Sequence, residues 1–302
     1  MKRITNLLFA GIVHPLTKWA LIVIAVSLLA VTTYLILIRF HPDLTESETF
    51  RQMIHDFNVK DFLMFALVGF LAQMVDGSLG MAYGISSTTF LLSLGLPPAS
   101  ASASVHAAEV VTSGASGLSH LKFNNVNKKL FRILVVPGVI GAIAGAYLLS
   151  SVDGKIFKPY IAAYLMVMGL VVIYKALQKA IVKKKTKNIG PLAFAGGLLD
   201  AIGGGGWGPV VVSSLLTDGR SPRYTIGSVN LAEFFVSLAG AGTFTIMLGI
   251  SNWIVVVGLM AGGVFASPFA AYICQKVNNR TLMLIVGFVI IFLSLRTILV
   301  SF

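Results

Sequence analysis

The sequence predicts an all-α membrane protein: a polytopic helical bundle of two inverted repeats, each with a glycine-broken helix pair, plus one extra N-terminal helix. Three observations predict it. The chain of 302 residues is 56% hydrophobic and only 11% charged, with a mean hydropathy of +0.88, whereas a soluble domain carries about 25% charged residues. Several apolar runs reach the roughly 20 residues that let a helix cross a hydrocarbon core of about 30 Å. One stretch of the second half repeats a stretch of the first at an offset of 124 residues. The apolar runs are continuous and do not alternate, which argues against a membrane β-barrel.

The elements follow in chain order. The basic start MKRITNLLFAGIVHPLTKW leads into an apolar segment at 17–38. That segment is too long for a signal-peptide core and has no clear small-x-small cleavage site, so it reads as a retained helix. RFHPDLTESETFRQMIHDFNVKD at 39–61 is polar and partly acidic; Phe50, Met53, Ile54 and Phe57 recur at helical spacing. It reads either as an interfacial amphipathic helix or as a plain polar loop. Further spans are expected at 98–121, 131–151, 156–181, 223–248, 252–275 and 279–301. Two other apolar regions, 61–95 and 189–217, are too long for one span and are broken by glycine near their centres. Each should form two short helices, either a re-entrant hairpin or a split pair. Three parts result: an extension at 1–58, a first repeat at 59–182 and a second at 188–302.

The net charge of +12 follows the rule that Lys and Arg collect in cytoplasmic loops. KKKTK at 183–187 and KFNNVNKKLFR at 122–132 are the strongest such loops, and MKR adds to them. The acidic segment 43–48 points outward. The N-terminus should therefore be cytoplasmic and the C-terminus periplasmic. No basic face with aromatic platforms is visible, so no nucleic-acid partner is expected. The lipid bilayer is the expected surroundings, and a homodimer is a possible assembly. The single cysteine, Cys274, forms no internal disulfide and no metal-ligand cluster, and no cofactor or metal is expected. GASG at 114–117 has the form of an intramembrane serine-protease motif, but no histidine follows His120 to serve as base on another membrane helix. No enzyme is expected.

The repeat is the most specific signal. Sliding the chain by 124 residues sets MVDGSLGMAYGISSTTFLL (74–92) on LLDAIGGGGWGPVVVSSLL (198–216). Asp76 meets Asp200, Gly80 meets Gly204, Tyr83 meets Trp207 and Gly84 meets Gly208. The register continues through Pro98/Pro222, Ser104/Ser228, Glu109/Glu233 and Ser113/Ser237, and 14 of 46 positions between Phe70 and Ala115 are identical. Each copy holds one broken region and three full spans. Three is odd, so the copies face opposite ways, an arrangement used by transporters that bind substrate near the midplane.

Irregular backbone at membrane depth is tolerated only where protein buries it or it lines a wet cavity. Gly203, Gly204, Gly205 and Gly206, followed by Trp207 and Pro209, can unwind the chain so that a half-helix begins inside the membrane. A helix N-terminus attracts anions. The alternative is that the glycines only allow a tight turn and close packing. The first copy has fewer glycines and adds hydroxyls: Ser78, Gly80, Tyr83, Gly84, Ser86 and Ser87 are its candidates.

On the following helices His106 stands about 12 Å and Glu109 about 16 Å along the axis from Pro98, near mid-bilayer. Asn230 and Glu233 match them, and Ser113 and Ser237 extend the two stripes. Buried ionisable groups in membranes are functional candidates. The glutamates read equally as structural acceptors for backbone freed at the breaks, and His106 as a proton carrier, an anion donor or a packing residue. Asp76 and Asp200 are placed to bond nearby N–H groups and shape the turns.

Two half-chain repeats, each with a glycine-broken segment and then a Pro-x(5)-S-V-x-x-A-E helix, resemble the sulfite exporter TauE/SafE family, also called TSUP permeases, over roughly 60–300. LLDAIGGGGWGPVVVSSLL carries the likeness best, whereas the first half departs from the usual glycine-rich form. The resemblance implies a bacterial inner-membrane carrier that exports a small sulfur-containing anion such as sulfite or an organosulfonate. An anion leaving a negative interior gains about 2.3 kcal/mol per charge per 100 mV, so export needs no coupling ion on this reading. Rival readings are a proton-coupled carrier of another small solute in the same fold and a non-transporting membrane assembly factor.

Overall fold

The structure, a computed structural model, describes residues 58–79, 81–122, 124–178, 188–217, 220–249, 252–274 and 279–301. The expected helix at 17–38, the acidic segment, the amphipathic stretch at 50–57 and KKKTK at 183–187 lie outside the described residues. The chain divides into two units, Met1–Lys60 and Asp61–Phe302, and nearly every described residue belongs to the second.

Among the described residues every regular element is helical. The elements are α1 (Val59–Leu79), α2 (Tyr83–Ser93), α3 (Pro98–Lys122), α4 (Lys128–Ser150), α5 (Gly154–Leu177), α6 (Ile189–Gly203), a π-helical turn (Trp207–Val212), α7 (Ser213–Thr217), α8 (Pro222–Leu248), α9 (Trp253–Cys274) and α10 (Asn279–Ser301). Helix starts follow local chemistry. Asn127 caps α4 by accepting from the N–H groups of Lys129 and Leu130, and Asp153 caps α5 by accepting from Lys155. Pro222 opens α8, where its missing N–H is harmless.

Among the described residues four stretches are long and apolar enough to cross a membrane: Lys128–Ser150, Gly154–Leu177, Tyr224–Leu248 and Met283–Ser301. α3 is long enough at 25 residues, but its serines, His106 and Glu109 dilute its hydropathy. The outward faces of α5 and α10 carry exposed Leu170, Phe288, Phe292 and Leu299. So much exposed apolar surface is out of place in water and fits a protein solvated by lipid.

Small residues let the helices pair closely. Gly141 and Gly145 of α4 lie against Phe194 and Leu198 of α6. Gly262 and Gly69 bring α9 and α1 into backbone contact at Ala66 and Leu259. Gly169 of α5 packs on Gly287 and Ile290 of α10, and Gly117 of α3 on Leu231 of α8. Without a hydrophobic drive between helices in lipid, such close approach is what holds them together.

The first broken region differs from expectation in length. α1 runs 21 residues, not a short half-helix, and only α2, with 11, is short. The second region has α6 at 15 residues and a short continuation through the π turn and α7. The difference follows composition: 77–80 holds two glycines, whereas 203–206 is all glycine, the poorest ordinary helix former.

Candidate functional site

Each interruption is organised by an aspartate. α6 stops at Gly203, and Gly204 takes φ 66°, a left-handed conformation that glycine adopts without a Cβ clash. Asp200 Oδ1 then accepts from the N–H groups of Gly206 (3.1 Å) and Trp207 (3.0 Å). In the first region Asp76 Oδ1 accepts from Ala82 (2.9 Å) and Tyr83 (3.3 Å). Both carboxylates reach the amides six and seven residues downstream. These four amides are therefore held internally. Gly80 lies outside the described residues, as do the side chains of Ser78, Lys122 and Arg223.

The two interruptions touch. A Cβ on Gly204 would strike Thr88 Oγ1 and lie 2.8 Å from the Gly84 carbonyl oxygen, and one on Gly84 would strike the Gly204 carbonyl. Gly208 sits on Met81, with 2.5 Å between its would-be Cβ and the Met81 Cα, and Gly205 faces Ile85 at 3.4 Å. Only main chain without side chains can approach this closely. The flanking aromatics lock into the surround. Trp207 is fully buried and donates from Nε1 to the Val229 carbonyl (3.3 Å), and Tyr83 donates from its hydroxyl to the Leu259 carbonyl (3.1 Å).

α3 presents polar side chains to this seam. His106 Nε2 lies 3.5 Å from Asp200 Oδ2, and neither atom has a hydrogen-bond partner. His106 Nδ1 is 2.9 Å from the Ser102 carbonyl oxygen, and Ser102 Oγ donates to the Ala201 carbonyl at 2.6 Å, tying α3 to the end of α6. Glu109 Oε1 faces Gly84, and Glu109 Oε2 accepts from Ser237 Oγ of α8 (3.3 Å). His106, Glu109 and Asp200 each offer a ligand atom, all within 4.8 Å of one another, a donor set of the kind that holds a cation.

Not every expected residue joins the group. Ser113 Oγ donates to the Glu109 carbonyl of its own helix. Asn230 pairs with Ser116 of α3 (2.9 Å), and Glu233 is half-buried on α8. Gly203 abuts the Tyr164 ring of α5, and Gly206 is wedged against Gly196 and Asp200. Pro209 is the third residue of the π turn, and its carbonyl accepts from Lys175 Nζ at 2.9 Å. The hydroxyls of Ser86, Ser87 and Thr88, at the start of α2, are buried without hydrogen-bond partners, as is the Tyr164 hydroxyl. Sequence reasoning missed Ser102 and Tyr164, and covered Thr88 only as part of the SSTT run at 86–89, whose hydroxyls stand at the half-helix start. The spacing of Ser102, one turn before His106, could have found it. Nothing local marks Tyr164. An open cavity of about 350 Å³, lined by Asp61, Phe65, Leu96, Asn252, Trp253, Ile254 and Val255, shares no residue with this group.

Comparison with known proteins gives consistent relatives. A family model described as "Sulfite exporter TauE/SafE" matches residues 65–297. The "Probable membrane transporter protein YtnM" of Bacillus subtilis (strain 168) is 46% identical over 251 residues, covering 80% of this chain and 84% of that protein. The "Probable membrane transporter protein YunE" of the same organism is 21% identical over 265 residues, covering 78% of this chain and 97% of that protein. No solved structure matches significantly.

Proposed function

The chain belongs to the sulfite exporter TauE/SafE family and is a membrane transporter of that family, and from that premise we propose that it exports a small sulfur-containing anion, sulfite or an organosulfonate, across a bacterial inner membrane by alternating access. The observation that carries this reading is the seam itself: both interrupted segments meet, main chain on main chain, beside buried hydroxyls that lack partners. An oxyanion needs several donors around one point. Ser86, Ser87, Thr88 and Tyr164 supply hydroxyl donors, whereas the amides of Ala82, Tyr83, Gly206 and Trp207 at the half-helix starts are already taken by Asp76 and Asp200.

The helix pairing supports the inverted-repeat part of the reading. An offset of 124 carries α1 to α6, α3 to α8, α4 to α9 and α5 to α10. The α4–α6 pair then maps onto α9–α1, while α3–α8 and α5–α10 each map onto themselves. That is the contact pattern of a pseudo-two-fold axis between the repeats. Rocking one repeat against the other about the seam opens it to each side in turn. In this reading 59–182 and 188–302 are the two repeats, with the N-terminus inside and the C-terminus outside.

The test is a panel of sulfite, thiosulfate, alkanesulfonates, sulfate and chloride. It is scored by thermal stabilisation of the purified protein and then by flux from proteoliposomes. A sulfite or sulfonate should raise the melting point, since a ligand that binds the native state stabilises it, and should be the anion that moves. Gly205→Leu, which crowds Ile85, should remove both effects while the protein stays monodisperse. Stabilisation and flux with chloride or sulfate alone, or undiminished flux in Gly205→Leu, would overturn the reading.

A further inference from the structure

Three buried side chains beside the seam are each anchored at one polar atom and turned toward one another at a second. His106 Nδ1 lies 2.9 Å from the Ser102 carbonyl oxygen, an acceptor, so Nδ1 donates and Nε2 is left with its lone pair. Asp200 Oδ1 takes the amides of Gly206 and Trp207, which leaves Oδ2. Glu109 Oε2 takes the Ser237 hydroxyl, which leaves Oε1 on the side of Gly84. Proteins orient metal ligands in this way: the second ring nitrogen donates to a backbone carbonyl, and the ligating carboxylates are themselves hydrogen-bonded.

The remaining atoms point to an ion between them. His106 is 0% exposed, Asp200 and Glu109 3% each, and neither Nε2 nor Oδ2 has a hydrogen-bond partner. Unpartnered polar atoms in a dry site are costly. Nε2 and Oδ2 are 3.5 Å apart, whereas a charge-assisted hydrogen bond closes to about 2.7–2.9 Å. Two atoms 3.5 Å apart, each about 2.1 Å from one ion, subtend about 110° at it, close to the tetrahedral angle. His106 and Glu109 stand three residues apart on one face of α3, the spacing that lets a helix offer both to one metal. Charge agrees. Asp76 of α1 and Glu233 of α8 interact electrostatically with Asp200 and Glu109, and His106 is the basic side chain of the set. Four carboxylates around one imidazole favour a cation whichever form the ring takes.

We propose that His106 Nε2, one oxygen of Glu109 and Asp200 Oδ2 form a site for a single divalent transition-metal cation of the zinc or manganese class. The nitrogen ligand argues against sodium, magnesium and calcium, which take oxygen sets, and the group has no thiolate to select copper(I). Three protein ligands leave a further position on such an ion for water or another ligand. α3 supplies two ligands and α6 the third, so the ion fastens 59–182 to 188–302. At the offset of 124 the matching residues are Asn230, Glu233 and Asp76, which lack the imidazole, so one ion per chain is expected. The sequence predicts no metal here, because the third ligand comes from the other half of the chain. The inference goes beyond the carrier reading and does not rest on it.

The probe is the metal alone. The full chain, carrying a tag free of histidine, is expressed with added zinc or manganese, purified in detergent and analysed for metal. About one ion per chain should copurify, since such a site binds tightly once its ligands are placed. His106→Gln and Asp200→Asn should each lower the content at least about tenfold, while His120→Gln leaves it unchanged. In the unsubstituted protein, removing the ion with a chelator should lower the melting temperature and returning zinc should restore it. X-ray absorption of the zinc-loaded, unsubstituted protein should show one imidazole and otherwise oxygen at about 2.0–2.2 Å, so the assignment does not hang on a variant that folds poorly. Monodisperse protein with no bound zinc or manganese, an ion that stays in His106→Gln, or a sulfur ligand from Cys274 would overturn the proposal. Each of these readouts is independent of any transported anion, so its failure leaves the carrier reading standing.

Discussion

At the residue scale, the seam is built from atoms that are missing. Gly204 combines a left-handed backbone with contacts to Thr88 and Gly84 that leave no room for a methyl group. Gly204→Ala should lower stability by on the order of 3 kcal/mol, from backbone strain and overpacking together. Gly242→Ala is the control. Its added Cβ meets nothing within 4 Å, so helix propensity should raise stability by up to ~1 kcal/mol. Thermal unfolding in one detergent compares the two, and equal effects would contradict the packing. Asp200→Ala should cost about 3 kcal/mol by orphaning two amides, and Asp200→Asn less, because its amide oxygen still accepts. Asp76, Asp200, His106 and Glu109 were legible as candidates because charge in an apolar run stands out. Tyr164 was not, because a tyrosine in an apolar helix looks ordinary until the fold brings it to a glycine, and Thr88 stood out only as one hydroxyl of the SSTT run.

At the element scale, the full-length helices were legible to within about four residues: 98–121 against Pro98–Lys122 and 279–301 against Asn279–Ser301 agree best, 131–151 against Lys128–Ser150 and 156–181 against Gly154–Leu177 least. Continuous hydropathy bounded by Pro, Gly and Lys leaves little choice. The broken regions were less legible. That a break would occur followed from the glycines, but the π turn at Trp207–Val212 did not, because it depends on a partner 34 residues away. A π turn releases carbonyls from the regular ladder. Lys175 answers one of them, donating to the Pro209 carbonyl and to Ser213 Oγ. Lys175→Met should therefore lower stability by about 1–3 kcal/mol and speed deuterium exchange at 207–212 more than in α4 or α8. Unchanged exchange there would mean that the lysine is incidental to the turn.

At the scale of the whole molecule, the pairing of α4 with α6 and of α9 with α1 joins 59–182 to 188–302, so each segment packs a helix against the other. Neither half should fold alone. Separately expressed 59–182 should be degraded or aggregate, while co-expression with 188–302 should restore a monodisperse complex on size-exclusion chromatography. The internal similarity is legible as 14 aligned identities, but the helix pairing was not, because a sequence offset says nothing about which segment a helix leans on. Orientation is testable by reporter fusion: alkaline phosphatase joined after Phe302 should be active and a fluorescent protein dark, and the opposite pattern would invert the topology drawn from the basic loops.

The contact of Gly84 with Gly204 also bears on how such a molecule can change over generations. Two bare stretches of main chain lean on each other, so an added methyl on one can be absorbed only if the other withdraws. Neither stretch is free to drift at that point without the other. The junction is thus fixed by geometry at its centre, while the peripheral loops and lipid-facing flanks remain open to diversification.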